Sequence, residues 1–320
     1  MPQPWLTVIM PVFNGERHLP EALESVALQG TEGYELIALD DGSTDRSLEI
    51  LRGWESRLPL RVERPPRCGN WVAVTNRGLA LGRGEYAGFL HQDDVWRPDR
   101  LRILRRTVDE TPTTDFLMHA TGYIDGRSIP LGRYDPPFRE SAADLPADHV
   151  VRRFLIQNVL SIPSAIFRRA AALEGGGLDE RLWYSADWDL WLRLAGRGRT
   201  RCVRRVLAGY RLHAHTQTSL RLGDLAEFRR QHEMVFEKHF PMWKASLPDA
   251  DAVAARARFS IDVNTALAAL ASRQKAGIGR LAGAFVSLGL AGAVRYVHDS
   301  RILQRMSARL RGRLWSRSAD

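Results

Sequence analysis

Cysteine and lysine are both scarce in this sequence of 320 residues. The two cysteines, Cys68 and Cys202, lie far apart, so they form neither a disulfide framework nor a Cys-x-x-Cys metal pair, which suggests a reducing compartment. Lys238, Lys244 and Lys275 are the only lysines, and the net charge of +9 therefore comes from arginine. Because GC-rich coding also produces an arginine excess, this charge alone does not predict a polyanionic partner.

A signal peptide and a membrane-length apolar run are also missing. The chain starts with Met-Pro-Gln-Pro-Trp and continues directly into a strand-like run, so we expect a protein that begins in the cytosol. The uncharged segment 281–294 has 14 residues, fewer than the roughly 20 that cross a bilayer, and this predicts a buried or interfacial helix. With 44% hydrophobic and 26% charged residues, the chain has the composition of a globular protein with a sizeable core.

Short β-branched or apolar runs alternate with helical patterns in the first part of the chain. We predict strands at 6–10, 36–39, 61–63, 86–90 and 116–120, with helices after the first four. Four strand-plus-helix units predict an α/β fold with a doubly wound, mostly parallel sheet. Such sheets bind ligands at the carboxyl ends of their strands. The Gly, Pro and Arg-rich segment 125–146 is interpreted as a surface loop.

Two pairs of adjacent carboxylates follow predicted strands. Asp93 and Asp94 come after the fourth strand, where they suit a hard divalent cation that takes its other oxygens from a substrate's phosphates. Asp41, beside Asp40 after the second strand, could accept a hydrogen bond from a nucleobase N–H. The simpler alternative for both pairs is acidic residues at helix starts, with Ser43 as the N-cap of the second helix. Both alternatives are open on the residues alone.

Further candidates lie between residues 70 and 213. Asp187 and Asp189 occupy the first turn of a predicted helix among several tryptophans, where a sugar could stack and desolvation can raise the pKa of a base. Helix capping is the alternative for one of these acids. His213 follows a strand-like run and could join a metal shell or meet a phosphate. Asn76, inside a helix, would be a ligand only if it lay near Asp93.

Four short motifs follow one another along residues 6–215. They are Val8-Ile9-Met10-Pro11-Val12-Phe13-Asn14, Asp40-Asp41-Gly42-Ser43-Thr44-Asp45, His91-Gln92-Asp93-Asp94 and Ala186-Asp187-Trp188-Asp189. Together they resemble the family 2 inverting glycosyltransferases of the GT-A fold. The resemblance implies a Rossmann-like half that binds a nucleotide-diphosphate sugar, with a UDP-linked donor favoured. It also implies a second half that binds the acceptor and carries the catalytic general base.

The resemblance also implies roles for individual residues. Pro11 and Phe13 match the loop that packs on the base, and Asp41 matches the acid that binds it. Asp93 matches a residue near the ribose, and Asp94 the carboxylate that holds Mn²⁺ or Mg²⁺ against the diphosphate. Asp187, the match to the general base, would take a proton from the acceptor hydroxyl.

The sequence departs from the family pattern at two positions. His91 stands where the family often has the first acid of an Asp-x-Asp motif, and Ala186 stands where a Glu often precedes the catalytic aspartate. Metal binding would therefore depend more heavily on Asp94. The departures leave open an alternative, a catalytically weak or inactive GT-A-like protein that binds nucleotide or glycan.

The domain organisation expected from these patterns is a GT-A glycosyltransferase domain at 1–222 and a helical extension at 223–320. The domain would divide into a nucleotide-sugar-binding half, 1–120, and an acceptor half, 121–222. In the tail, Leu303, Met306, Leu310 and Leu314 share one helical face, opposite Arg301, Arg305, Arg309 and Arg313. This basic amphipathic pattern predicts either a helix docked on its own domain or attachment to an anionic membrane surface.

We therefore expect a cytoplasmic enzyme, peripheral at the inner face of the cell membrane if the tail binds lipid. In that case the acceptor would be a lipid-linked or cell-envelope glycan. A nucleic-acid-binding protein is disfavoured, because the acids at 41, 93, 94 and 187 would repel phosphates without a cation. Nucleotidyl transfer on a related sheet is disfavoured because no Gly-rich phosphate loop follows the first strand.

Overall fold

The computed structural model of the chain describes residues 3–138, 144–213, 221, 223–276 and 278–317. Within these residues a nine-stranded sheet forms the centre of the molecule. The strands are β1 Leu6–Val12, β2 Tyr34–Asp40, β3 Leu60–Glu63, β4 Tyr86–Phe89, β5 Val95–Trp96, β6 Phe116–Ile124, β7 Pro130–Tyr134, β8 Ala165–Arg168 and β9 Thr200–Arg211.

Helices cover both faces of the sheet. In the first 200 residues they are α1 Leu19–Ala27, α2 Ser47–Trp54, α3 Trp71–Leu81, α4 Arg100–Glu110, α5 Ala147–Ile156, α6 Arg169–Glu174 and α7 Ala186–Arg197. The later ones are α8 Leu225–Trp243, α9 Ala250–Ala271, α10 Ile278–Ser287, α11 Gly289–Ser300 and α12 Ile302–Arg317. Short 3-10 turns occupy Ile162–Ser164 and Lys244–Ser246.

The sheet has the order β3-β2-β1-β4-β8-β6-β9-β5, and β7 pairs with β6. The first four strands in this order pair in parallel. β8 is antiparallel to both β4 and β6, whereas β6 and β9 are parallel. The expected α/β architecture is confirmed, with its parallel strands concentrated in the first half and a mixed sheet in the second.

The register of the sheet brings the candidate loops together at one edge. Val12 lies opposite Asp40, and Ile9 lies opposite Phe89. Because β6 and β9 run in the same direction as β1 and β4, the pair Ile124 and Arg211 ends at that edge too. The loops after β1, β2, β4 and β9 therefore surround one opening, as expected for the carboxyl ends of parallel strands.

Four local expectations from the sequence are wrong. The segment 125–146, predicted as loop, contains β7; its residues 139–143 lie outside the described part. Ser43 caps no helix, because α2 starts at Ser47. The helical pattern that starts at Asp224 predicts a helix ending at Pro241, but α8 continues to Trp243, whose ring lies against Gly196. The segment 281–294 is two helices that meet at 111°, since Gly289 has a φ of +66°.

The core lies on both faces of the sheet. On one face, Trp191 of α7 is fully buried and stacks on Phe116 with ring centroids 5.4 Å apart. Val235, Val253 and Tyr296, from the helices after residue 223, belong to the same apolar core. These helices thus share a core with the sheet, while the proposed boundary at residue 222 stays a prediction.

The C-terminal helices also leave apolar side chains in solvent. Leu290 on α11 is 86% exposed, and Leu303, Met306 and Leu310 on α12 are exposed together. Among the described residues no single helix is long and apolar enough to cross a membrane. The bent pair Leu281–Ser287 and Gly289–Ser300 does pass that test by length and composition when taken together.

Candidate active site

A cavity of about 700 Å³ opens at the carboxyl edge of the sheet. Its wall contains six of the nine residues that the sequence singled out, namely Pro11, Phe13, Asp41, Asp93, Asp187 and His213. The other three, Asn76, Asp94 and Asp189, do not line it. Loops after β1, β2, β4 and β9 and the start of α7 therefore meet at one cavity.

One end of the cavity is built around Phe13. The side-chain amide of Gln92 holds its backbone, accepting from the Phe13 N–H at 2.8 Å and donating to the Phe13 carbonyl at 3.0 Å. The Arg67 guanidinium lies over the Phe13 ring at 4.6 Å. This end presents a fixed aromatic and cationic surface, which suits a flat heterocycle.

Asp41 shapes the same end from the opposite side. Its carboxylate oxygens accept the N–H groups of Cys68 and Gly69, both at 2.8 Å. Each oxygen keeps a second lone pair for a ligand. Asp41 therefore both fixes the loop at 67–69 and has acceptor capacity for an N–H group in the cavity.

Asp93 lies in the middle of the cavity wall. Its Oδ2 is 3.0 Å from Nε2 of His213. Burial opposes its ionisation, but the hydrogen bond from His213 holds its pKa below the usual value. Asp93 is therefore an ionised carboxylate beside an imidazole at the cavity surface.

Asp94 lies behind this wall. It is only 1% exposed, and its Oδ1 accepts the backbone N–H of Arg211 at 2.9 Å. Burial, together with the negative charge of Asp93, raises its pKa well above the usual value. The turn between β4 and β5 thus directs one carboxylate of the pair into the cavity and the other into the protein.

Arg211 fastens the strand ends that carry this pair. Its buried guanidinium donates to the Asp93 carbonyl at 2.7 Å and to Glu21 at 2.6 Å. It also donates to the carbonyl of Asp125 at 2.9 Å. Sequence reasoning missed this residue, because nothing local to β9 indicates that a buried arginine joins two loops and α1.

Asp187 lies in the first turn of α7 and faces the cavity. Its Oδ1 accepts the N–H of Trp188 at 2.8 Å, and its Oδ2 accepts from the side-chain amide of Asn158 at 3.0 Å. Burial raises its pKa to about 6, against the lowering effect of these hydrogen bonds. Such a carboxylate is ionised at neutral pH yet more basic than an exposed one, which suits a general base.

Asp189, the other acid of this turn, has a different environment. It is completely buried, with Oδ1 2.8 Å from Nε2 of His239 and Oδ2 2.9 Å from Nε of Arg193. Although burial alone would raise its pKa, its hydrogen bonds from His239 and Lys238 hold the pKa far below the usual value. Asp189 therefore joins α7 to α8 and does not reach the cavity.

Asn76 holds the loop after α6 by hydrogen bonds to its backbone. Its side-chain amide accepts from the Leu178 N–H at 2.8 Å and donates to the Leu178 carbonyl at 2.9 Å. Gly177, with a φ of +72°, lies so close that a Cβ there would be 2.5 Å from Oδ1 of Asn76. Asn76 thus positions a turn beside the cavity and does not line it.

The far end of the cavity was not expected from the sequence. Tyr123, Tyr134 and Tyr210 line it, and Tyr123 and Tyr134 stack with ring centroids 5.5 Å apart. The hydroxyl of Tyr134 donates to the Asn158 carbonyl at 2.7 Å. Arg305 and Arg309 of α12 complete this wall. The signal that could have indicated them is arginine spaced four residues apart in the tail.

The residues at the centre fit a divalent cation in part. The described residues contain no group of three His, Cys, Asp or Glu side chains arranged to hold a metal ion. Asp93 and His213 offer one carboxylate and one imidazole at the cavity surface. A hard cation held by one or two protein ligands takes its remaining ligands from substrate phosphates and water, so this pair is compatible with a diphosphate-bound cation.

The α/β sheet, an aromatic and acidic pocket at its edge and a basic carboxylate across the cavity define the class of nucleotide-sugar-dependent transferases with the GT-A fold. The sequence matches the family model described as Glycosyl transferase family 2 over residues 7–171. The chain belongs to this family, and it is a glycosyltransferase.

Relatives in sequence agree with this assignment. An uncharacterized glycosyltransferase of Rickettsia prowazekii (strain Madrid E) is 27% identical over 229 residues, which cover 70% of this chain and 69% of that protein. The poly(ribitol-phosphate) beta-N-acetylglucosaminyltransferase TarS of Staphylococcus aureus is 29% identical over 143 residues, 43% of this chain and 24% of that protein.

Solved structures share the fold. S. aureus TarS 1–349 in complex with UDP-GlcNAc has a TM-score of 0.65 at 20% identity, covering 80% of this chain and 72% of that chain. The mannosyltransferase PcManGT of Pyrobaculum calidifontis, in complex with GDP-Man and Mn²⁺, has a TM-score of 0.56 at 17% identity. This likeness covers 98% of this chain and 88% of that chain, so it includes the C-terminal helices.

Proposed function

We propose that this glycosyltransferase moves a sugar from a nucleotide-diphosphate donor, UDP-linked in the first instance, to a hydroxyl acceptor with inversion. One observation carries the proposal: the candidate nucleobase pocket at Phe13 and Asp41, the ionised Asp93 and Asp187, the candidate general base, line a single cavity. The TarS structures with UDP and with UDP-GlcNAc support the choice of a uridine nucleotide.

The donor would lie along the cavity from Phe13 towards Asp187. The base would pack against Phe13 and Pro11 and donate an N–H to Asp41, whose oxygens keep free lone pairs. The diphosphate would then reach Asp93 and His213. This order leaves the sugar between the diphosphate and Asp187.

We assign the cation to Asp93 and His213 and not to Asp94. Asp93 and His213 line the cavity, whereas Asp94 is buried behind it and accepts a backbone hydrogen bond. A carboxylate oxygen suits Mn²⁺ or Mg²⁺, and imidazole is a common metal ligand. When bound, the cation would neutralise charge on the diphosphate; Mn²⁺ in the PcManGT complex supports this choice.

The protein's own contribution to the chemistry is centred on Asp187. Its Oδ atoms, oriented by Asn158 and the Trp188 N–H, would accept the proton of the acceptor hydroxyl as that oxygen attacks the anomeric carbon. The new carbon–oxygen bond forms as the bond to the nucleoside diphosphate breaks, and the electron pair leaves with the diphosphate. Attack from the face opposite the leaving group inverts the anomeric centre.

The acceptor would be a saccharide of the cell envelope or another glycan, and it would be lipid-linked if the enzyme binds a membrane. The exposed Leu303, Met306 and Leu310 give α12 an apolar outer face, and Arg295 of the neighbouring α11 is 61% exposed. Apolar and basic groups together favour an anionic bilayer. Leu303→Ser with Leu310→Ser should release the protein from anionic vesicles, while Leu28→Ser, at an exposed leucine just after α1, should not.

Two departures from the family pattern, His91 and Ala186, favour the second candidate, a nucleotide-binding protein without turnover. His91 supplies a neutral imidazole where the family often has a carboxylate, since burial lowers its pKa. Ala186 is buried and offers no acid before Asp187. Metal-dependent UDP binding without transfer or donor hydrolysis would identify this candidate.

Thermal-shift measurements with a panel of nucleotide sugars, with and without Mn²⁺, test donor binding first. The donor that binds is then used in transfer assays, and the anomeric configuration of the product is read by NMR. Asp187→Asn should lower the transfer rate by about 10² to 10⁴ but keep donor binding. Asp93→Asn should weaken metal-dependent binding, and Asp109→Asn, a remote exposed carboxylate, should change neither. Absence of binding by any nucleotide, or a retained configuration, would overturn the proposal.

A further inference from the structure

Arg305 of α12 is a buried cation in the cavity wall. It is 8% exposed, and its Nη2 donates to the side-chain carbonyl of Asn264 at 2.5 Å. Its Nη1 is buried without a hydrogen-bond partner. Within the described part of the chain no carboxylate forms an ion pair with Arg305 or with Arg309, which also lines the cavity. Arg305 thus places a positive charge in the cavity wall with which no carboxylate of the described residues forms an ion pair.

The side chain of Arg305 bonds to a neutral network that starts at Asn264. Asn264 donates to Oε1 of Gln157 at 3.0 Å, and Ser260 donates to the same oxygen at 2.8 Å. His232 is a further neutral neighbour, since burial lowers its pKa to about 4. An unpaired buried charge is unfavourable, and a guanidinium presents paired N–H groups that match the oxygens of phosphate or carboxylate. Arg305 is therefore arranged for an anionic ligand.

The position of Arg305 indicates which ligand this is. Gln157 accepts a hydrogen bond from Asn264, the partner of Arg305. The side-chain amide of the next residue, Asn158, donates to Oδ2 of Asp187 at 3.0 Å. Arg305 is therefore connected to the candidate base through Asn264, Gln157 and Asn158. The opposite end, at Phe13, has its own cation in Arg67. A group bound at Arg305 would belong to the molecule whose hydroxyl meets Asp187, and not to the nucleotide.

We propose that Arg305, assisted by Arg309, binds an anionic substituent of the acceptor, a phosphate or a carboxylate on the saccharide. The proposal rests on the function proposed above, because it takes Asp187 as the mark of the acceptor end. It makes the last helix a part of the substrate site and assigns the acceptor to the class of acidic or phosphorylated glycans.

The test uses the full chain and three proteins. They are the wild type, Arg305→Met, and Arg311→Met as a matched control with the same change in charge on an exposed position of the same helix. Calorimetric titrations with inorganic phosphate and with glucuronate, in saturating UDP and Mg²⁺, report binding outside the nucleotide site. Glucose and chloride serve as the neutral and simple-ion controls. Thermal unfolding of each protein is recorded in parallel.

The wild type and Arg311→Met should bind phosphate or glucuronate, and Arg305→Met should bind at least about tenfold more weakly, a change expected on loss of a charge-assisted pair. The stronger of the two anions identifies the substituent. Arg305→Met should also unfold at a temperature no lower than wild type, because it removes an unpaired buried charge. A purely structural arginine would give the opposite stability result.

Equal affinity of Arg305→Met and wild type for the anions, or no anion binding by the wild type, would overturn the proposal. Failure of the proposed function gives a different result. In that case UDP itself would not bind, and the anion titration, repeated without UDP, would still separate Arg305→Met from Arg311→Met.

Discussion

The acid side of the pH–rate profile gives the sharpest test of Asp187 as the base. Burial raises its pKa from the usual 3.8 to about 6. Because a base must be ionised to accept a proton, kcat/KM should fall as the pH drops through about 6. At pH 5 roughly one-tenth of the enzyme would be ionised, compared with roughly nine-tenths for an exposed aspartate. The rate should therefore fall about tenfold between pH 7.5 and 5.

The hydrogen bond from Asn158 allows the titrating group to be identified. This bond stabilises the ionised carboxylate and lowers the pKa of Asp187. Asn158→Ala should move the acid limb to higher pH, while Gln3→Ala, an exposed amide far from the cavity, should leave it in place. Asp187→Asn should lower kcat by about 10² to 10⁴ at pH 7.5, the usual contribution of a general base.

The assay is initial-rate transfer from the donor identified by binding, at saturating donor and low acceptor, in constant-ionic-strength buffers. Circular dichroism at each pH separates loss of activity from unfolding. A wild-type kcat/KM that is constant from about pH 7.5 to 5 would refute the reasoning. An Asn158→Ala profile that coincides with the wild-type profile would also refute it, because the limb would then belong to another group.

Three further outcomes are expected. Asp41→Asn should weaken UDP binding measured by calorimetry, because an amide cannot accept the N–H groups of both Cys68 and Gly69. Gly177→Ala should lower the free energy of unfolding in urea by about 1–3 kcal/mol more than Gly176→Ala, since both have positive φ but only Gly177 meets a neighbour. Because the folded-state pKa of Asp189 is depressed, its ionised carboxylate should stabilise the folded protein above pH ~4, and this stabilisation should be lost as the pH falls. Asp189→Asn should lower the free energy of unfolding by about 3–5 kcal/mol at pH 7 and weaken its dependence on pH.

Local patterns predicted the parallel half of the fold because it consists of local units. The runs at Leu6, Tyr34 and Tyr86 are buried on both faces, so their apolar character is continuous and visible. The pairing of β7 with β6 was not visible, because it depends on contacts between segments and not on the Gly and Pro-rich composition around Pro130. A helix pattern likewise cannot indicate that α8 continues past Pro241.

The candidate site divides in the same way. Asp41, Asp93 and Asp187 could be predicted because each follows a recognisable strand or starts a helix. Sequence could not decide between Asp93 and Asp94, since the turn between β4 and β5 determines which carboxylate faces the cavity.

The orientation of α12 was the least predictable feature. One of the two alternatives predicted from the amphipathic pattern was that α12 would pack its apolar face against the domain. Instead, Leu303 is 66% exposed, while Arg305 is buried in the wall of a polar cavity. Arg313 and Leu314 belong to the same pattern, but the structure does not describe their side chains. α12 therefore packs Ile302 and Ala308 as well as Arg305 against the domain, while the side that carries Leu303, Met306 and Leu310 is exposed.

The continuous hydrogen bonding of the sheet limits how this enzyme can move. β4 joins β8, and β8 joins β6, so the strands that carry the two ends of the cavity are parts of one ladder. Rotation of the two halves about a hinge would break that ladder. Any adjustment that excludes water during a turnover must therefore come from side chains and connecting segments, and the spacing between the two substrates is built into the backbone before either one arrives.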